Sequence, residues 1–297
     1  MSDKTLLFIH ALTGLHPGSG TALGVVDLPV QRERHTDWPI IPGSSLKGVM
    51  RAECARDNRE DKDVLAVFGP EIGSASDHAG AVAFSDARIL AFPVRSLTGV
   101  FAWVTCPAVL ERLSRDFGLV GRDNFPVVPK VEEDTAACVE NSPLITHGGR
   151  LMLEEFEFSR GGDAREVADW IASRAVEDAG TQDRLRFHLA ILHDNDFTHF
   201  VRNATEVVAR VGLNYERKTV RKGALFYEEY LPAETLFYSL VLCSASRRPD
   251  AELSSAADIL QWLGKHSPRT LQIGGGETVG KGFCAVRFAD PVEEGQQ

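Results

Sequence analysis

The apolar run at residues 5–11 stops at a stretch rich in glycine and containing proline, residues 14–24. That break sets the rule for the chain: strand-like segments are short and the irregular stretches between them are long. After a Gly43-Ser44-Ser45 turn that predicts a helix N-cap, Leu46, Val49, Met50 and Cys54 recur at helical spacing to about residue 56. Residues 81–91 and 99–104 read as strands with a break at Phe92-Pro93, and residues 107–117 as a helix with proline in its first turn. An alternating strand over 150–158 is followed by helices over 163–175 and 187–200 and a hairpin over 205–227. A buried strand over 235–243, a helix over 254–263 and a last strand over 283–288 close the chain. This succession predicts an α+β sheet of ferredoxin-like (RRM-like) type rather than a doubly wound parallel sheet. One elaborated domain over residues 1–297 is expected, with residues 12–42 a loop insertion and the weakly patterned residues 118–149 an inserted lid.

A chain of 297 residues, 43% hydrophobic and 25% charged, can bury a substantial core. No apolar run approaches the roughly 20 residues of a membrane span, and residues 6–11 are too few for the apolar region of a signal peptide. Five scattered cysteines, with no Cys-x-x-Cys pair, suit reduced core thiols rather than a zinc knuckle or a disulfide framework. A cytoplasmic protein with no membrane partner is expected. The net charge of -10 is unusual for a protein that binds nucleic acid alone. Cations are concentrated locally, however: Arg210, Arg217, Lys218, Arg221 and Lys222 stand within thirteen residues against Glu216 alone. Acidic runs lie elsewhere, at residues 57–63 and 132–134, so the charge pattern fits one face for a polyanion and others for water or protein.

Residues 16–48 collect the groups that phosphodiester chemistry uses. They include His16, a loop carboxylate at Asp27, the basic pair Arg32 and Arg34, and a helix start with Lys47 and Arg51 four apart on one face. Asp27 suits two roles, as an ordinary turn residue before Leu28-Pro29, or as an oxygen ligand or proton acceptor beside a ribose 2′-OH. Residues 275–282, Gly-Gly-Glu-Thr-Val-Gly-Lys-Gly, come close to a phosphate-binding P-loop but lack Ser or Thr after Lys281, and a strand-like segment follows where a helix is required. A tight turn whose amides approach an RNA backbone fits Gly275, Gly276 and Lys281 better. His193-Asp194-Asn195-Asp196 with His199 matches no zinc spacing, and Asp194 predicts a helix N-cap. Ser44, Ser45 and Ser142 lack a nucleophile-elbow context.

Residues 15–20, 23–34 and 41–51 closely resemble the N-terminal signature of the repeated backbone subunits of type III-B (Cmr) CRISPR effector complexes, within the RAMP superfamily. The resemblance implies the palm fold of that superfamily, elaborated by a lid and a thumb hairpin. It also implies that Gly24-Val25-Val26-Asp27 carries the aspartate on which cutting of target RNA depends, assisted by His16. In the stretch Phe226 to Pro232 it points to Glu228, with Glu229 adjoining, and to Tyr230. Arg32, Arg34, Lys47, Arg51, Lys218 and Arg221 would then contact guide RNA phosphates, and Leu213 or Tyr215 would be an apolar hairpin tip between bases. A transient divalent metal, Mg or Mn, would meet Asp27. Guide crRNA, target RNA, other Cmr subunits and further copies of the chain in a helical array are the partners implied. Two alternatives stay open: a guide-binding scaffold without catalysis, and a stand-alone nuclease that processes guide precursors without metal through His16 or His35.

Overall fold

The computed structural model describes residues 3–289 apart from 23, 57, 59–60, 71–77, 215 and 249–250, and of residues 222 and 223 only the backbone. Strand β1 (Asp3–Ala11) is buried without a break from Thr5 onward, so both of its faces are covered. It pairs antiparallel with β12 (Leu236–Cys243) on one side and β14 (Phe283–Phe288) on the other, and β12 pairs in turn with β4 (Ala87–Arg95). Helix α1 (Gly43–Cys54) lies between β1 and β4 in sequence, and α7 (Ala256–His266) between β12 and β14. Numbering these four strands by chain order gives the sheet order 4-1-3-2, with helical crossovers from the first strand to the second and from the third to the fourth, which is the ferredoxin arrangement.

Short strands extend this palm. β2 (Ile40–Ile41) pairs β4, β3 (Val82–Phe84) pairs β12, and β13 (Thr270–Gln272) pairs β14 at the outer edge. Past β4 the sheet continues through β5 (Phe101–Thr105), β9 (Leu189–Leu192), β6 (Thr135–Cys138), β8 (Phe156–Gly162) and β7 (Arg150–Leu153). The remaining helices are α2 (Lys62–Phe68), α3 (Pro107–Leu119), α4 (Arg165–Ala175), α5 (Ala179–His188) and α6 (Asp194–Asn203). Trp170 of α4 joins layers of the core, meeting Phe8 of β1 and Phe117 of α3 edge-on at centroid distances of 6.2 and 5.0 Å. β10 (Glu206–Asn214) and β11 (Thr219–Tyr230) form a two-stranded sheet of their own. Among the described residues no helix is long and apolar enough to cross a membrane.

Several local expectations are corrected. Gly43-Ser44-Ser45 is not the cap of α1: the cap position is Pro42, without a side-chain bond, and the Gly43 N–H donates to the Asp86 carboxylate at 2.8 Å. Phe92-Pro93 does not break β4, because β12 pairs with β4 only as far as Ala91 and the N–H that Pro93 lacks meets no neighbour there. Residues 150–158 are not one strand but most of a hairpin, β7 and β8, turned at Glu154, which adopts φ 49°. Residues 187–200 divide into the end of α5, strand β9 and the start of α6. Within residues 118–149, β6 is a buried strand between β8 and β9 and so belongs to the core. Asp194 is not the cap of α6: His193 is, and Asp194 instead accepts from the Ala108 N–H in the first turn of α3 at 3.0 Å.

Candidate active site

The long loop between β1 and β2 doubles back along β11. Leu15 exchanges backbone hydrogen bonds with Leu231, the N–H groups of Asp27 and Leu28 donate to the Tyr227 carbonyl, and the Glu229 N–H donates to the Leu28 carbonyl. Loop and strand are locked by Glu229. One of its oxygens accepts from the Val30 N–H at 2.9 Å and the other from the Arg32 guanidinium at 2.6 Å. Arg32 also donates to the carbonyls of Asp37 and Val201. These bonds make Arg32 a clamp between the loop, β11 and the end of α6.

Successive side chains of a strand point to opposite faces, which places Glu228 and Tyr230 together on the face away from Glu229. His16 is buried beside them. Its Nδ1 lies 2.7 Å from the Glu229 carbonyl oxygen, which can only accept; Nδ1 therefore carries a proton and Nε2 is left to face the cluster. Nε2 is 3.8 Å from Glu228 Oε1, and the rings of His16 and Tyr230 are 5.6 Å apart. The Tyr230 hydroxyl donates to Glu228 Oε2 at 2.5 Å and accepts from Arg210 at 2.6 Å, while Arg210 Nε donates to the same carboxylate at 3.2 Å. Burial, then the bond to Glu228, raises the phenol's pKa, so Tyr230 keeps its proton. The Lys281 ammonium lies 4.8 Å from the centre of the Tyr230 ring, within cation–π range. Arg210 belongs to this cluster and was missed in the sequence, where it is one cation of a run.

Asp27 lies alongside Tyr227, one residue before Glu228. Its Oδ2 accepts from the Tyr227 N–H at 2.7 Å, and among the described residues its other oxygen takes no hydrogen bond. No three His, Cys, Asp or Glu side chains among the described residues are placed to hold a metal ion. A transient Mg²⁺ or Mn²⁺ asks less of the chain, since such an ion is commonly held by one or two carboxylates together with substrate phosphates and water, and the uncommitted oxygen of Asp27 is a donor of that kind.

The C-terminal glycine loop passes under the same cluster. Gly275 N–H donates to the His16 carbonyl and Gly282 N–H to the Gly14 carbonyl. Gly274 and Gly282 both have φ 78°, and a Cβ on either would lie 2.2 Å from a backbone carbonyl oxygen, of His16 and Ile273 respectively. Only glycine meets both demands. A single turn of 3₁₀ helix (Glu277–Val279) and then β14 follow. The amide of Gly275 is thus committed to the protein rather than turned toward RNA, Gly276 supplies the left-handed turn at φ 81°, and Lys281 is turned to Tyr230.

The other expected contacts divide between buried and exposed positions. Lys47 donates to the Val82 carbonyl and Arg51 to the Pro70 carbonyl, and burial followed by the charge of Arg51 lowers the pKa of Lys47. With Asp86 on the Gly43 amide, the start of α1 is not the open phosphate cradle that its sequence suggests. Arg34, Lys218 and Arg221 are exposed, Lys218 at the hairpin turn with φ 53°. Leu213 is 48% exposed near the tip, and Tyr215 lies outside the described residues. His35 is at the surface, 3.7 Å from Glu33. The structure thus brings His16, Glu228, Tyr230 and Lys281 together with Arg210, sets Asp27 at their edge, and leaves Lys47 and Arg51 elsewhere on α1.

Comparison with known proteins gives the family and the fold. The family model of the RAMP superfamily matches residues 8–285. The chain is 43% identical over 294 residues to the CRISPR system Cmr endoribonuclease Cmr4 of Pyrococcus furiosus, covering 98% of this chain and 97% of that protein. It superposes on the crystal structure of oligomeric Cmr4 from Pyrococcus furiosus with a TM-score of 0.73 at 35% identity, covering 96% and 97% of the two chains. A subunit in the apo cryo-EM structure of the type III-B Cmr-beta complex shares the fold, with a TM-score of 0.76 at 24% identity over 98% of each chain.

Proposed function

Because the chain belongs to the RAMP superfamily, we propose that it is a repeated backbone subunit of a cytoplasmic CRISPR ribonucleoprotein that holds guide RNA and cuts the paired target RNA. The observation that carries this reading is the seam between loop and β11, which sets Asp27 beside the His16, Glu228 and Tyr230 cluster at the base of an exposed basic hairpin. The full-length similarity to a protein named an endoribonuclease supports it. Exposed Arg34, Lys218 and Arg221 contact phosphates, which positions RNA without reading its sequence. Sequence is read by the guide through base pairing.

The cut that these groups suit is internal transesterification. The ribose 2′ oxygen attacks the adjacent phosphorus and the bond from phosphorus to the 5′ oxygen breaks, leaving a 2′,3′-cyclic phosphate and a 5′-hydroxyl. Asp27 accepts the 2′-OH proton through its uncommitted oxygen, and His16, when doubly protonated, gives its Nε2 proton to the departing oxygen while Glu228 beside it balances the imidazolium charge. A transient divalent ion held by Asp27 would supply Lewis-acid stabilisation of the charge on the phosphate, and the remaining work falls to the chain's own groups.

The test is a complex reconstituted with guide RNA, the other Cmr subunits and Asp27→Ala chains. Loss of site-specific cutting by about a hundredfold or more, with assembly and target binding intact, is the expected result. Undiminished cutting removes Asp27 from the mechanism, and absence of cutting by the unaltered complex leaves a guide-binding scaffold. Parallel reactions in Mg²⁺, Mn²⁺ and EDTA measure the expected dependence on a divalent ion. Activity of the isolated chain on precursor RNA in EDTA would support the stand-alone nuclease instead.

A further inference from the structure

Among the described residues, Arg210 is the one cation that hydrogen-bonds two members of the cluster. It stands on β10 opposite Phe226, and its guanidinium reaches diagonally across the hairpin to β11. There it donates at 2.6 Å to the Tyr230 hydroxyl and at 3.2 Å to Glu228 Oε2, the oxygen to which the same hydroxyl donates at 2.5 Å. The three groups close a ring: guanidinium to phenol, phenol to carboxylate, guanidinium to carboxylate. Its direction is fixed, because Arg can only donate and an ionised carboxylate can only accept. The phenol is therefore held with its proton on the carboxylate side.

Three consequences follow for the groups around it. Glu228, whose side chain is 13% exposed, has its charge balanced by a partner that stays protonated throughout the working pH range. The second carboxylate oxygen, Oε1, is left to face His16 Nε2 at 3.8 Å. Tyr230, which is fully buried, is wedged between Arg210 and the Lys281 ammonium over its ring. An ammonium in place of the guanidinium keeps the charge but loses the planar fork that reaches both acceptors.

We propose that Arg210 is a positioning residue for RNA cleavage, which fixes the Tyr230 hydroxyl on Glu228 Oε2 and so leaves Glu228 Oε1 facing His16, without itself touching the reacting atoms. The proposal rests on the function proposed above. Because the residue sits on the hairpin and its two partners at the hairpin base, this contact also ties the order of the site to the order of the hairpin.

The experiment uses the reconstituted complex with guide RNA, measuring single-turnover cleavage and target affinity separately for Arg210→Ala, Arg210→Lys, Tyr230→Phe and the Arg210→Ala/Tyr230→Phe double variant. Arg210→Ala is expected to cut on the order of tenfold to a hundredfold more slowly, the range for losing hydrogen bonds to a charged group, with target affinity changed less than about twofold. Arg210→Lys recovers part of the rate, and guanidinium added at millimolar concentration recovers part of the rate of Arg210→Ala but not of Tyr230→Phe. The double variant is no slower than the slower single variant, because both substitutions open the same ring. Cutting by Arg210→Ala at the unaltered rate overturns the proposal, as do additive losses in the double variant or a parallel fall of rate and affinity without rescue. Should Arg210→Ala fail to assemble, Arg210→Lys against Tyr230→Phe carries the same comparison. If the unaltered complex does not cut, the function itself fails; if it cuts and Arg210→Ala cuts equally well, only the role of Arg210 fails.

Discussion

Glu228 and Glu229 are identical in chemistry and adjacent in sequence, yet the pleat of β11 sends them to different work. Glu229 is clamped by Arg32 and the Val30 amide, and Glu228 faces the cluster. The sequence could show the pair but not which face each takes, because the register of β11 depends on loop residues two hundred positions away. The clamp made by Arg32 is hidden for the same reason: a charge is visible in sequence and its partner is not. Arg32→Ala leaves the Glu229 carboxylate buried beside a single amide and is expected to destabilise the fold by about 3 kcal/mol, measured as the shift in urea unfolding midpoint. The thiols offer a second test. Burial pushes Cys138, Cys243 and Cys284 up to about 12 and Cys54, together with the charge of Glu53, up to about 11. At pH 8 all four are therefore protonated and poor nucleophiles. A thiol reagent at that pH should label the native chain slowly, reaching the partly exposed Cys54 first and the buried thiols only on unfolding.

At the level of elements, the segments read correctly carry their own punctuation. α3 begins with Pro107 at its first position, α7 has a full capping box between Ser255 and Asp258, and β1 is a closed apolar run. The hairpin of β7 and β8 escaped because its turn residue in the left-handed region is Glu154 rather than glycine or asparagine. Residues 187–200 escaped because the apolar residues of β9 and α6 follow one another without a marker. The glycine loop was recognised as a loop, while its commitment to His16 depends on tertiary contact. Its glycines separate two costs. Gly280 has φ 77° and open space, so Gly280→Ala is expected to cost about 1 kcal/mol for the left-handed backbone alone. Gly274→Ala adds a collision with the His16 carbonyl and is expected to cost at least twice as much, and to slow cutting through displacement of His16. Urea unfolding of the two variants side by side measures the difference.

Taken whole, the molecule is an acidic body with a basic projection. The hairpin exposes Val207, Val211, Leu213, Val220 and Leu225 along with its cations, and residues 216–221 at its turn are all exposed. Trypsin should cut the isolated chain first after Arg217, Lys218 or Arg221, and the assembled complex should resist at those bonds; equal cutting in both states would show that assembly leaves the hairpin bare. The palm order and the hairpin follow from patterns that recur along the chain, whereas the site draws on residues 14–32, 206–230 and 274–282, which no local pattern connects. That dispersal governs how the site comes into being. On a ribosome the chain emerges from its N-terminus, so His16 and Asp27 are in solution long before β14 exists to lie beside β1 or Gly274 to pass beneath His16. The nascent protein is consequently without an ordered candidate site until the glycine loop and β14 have been made.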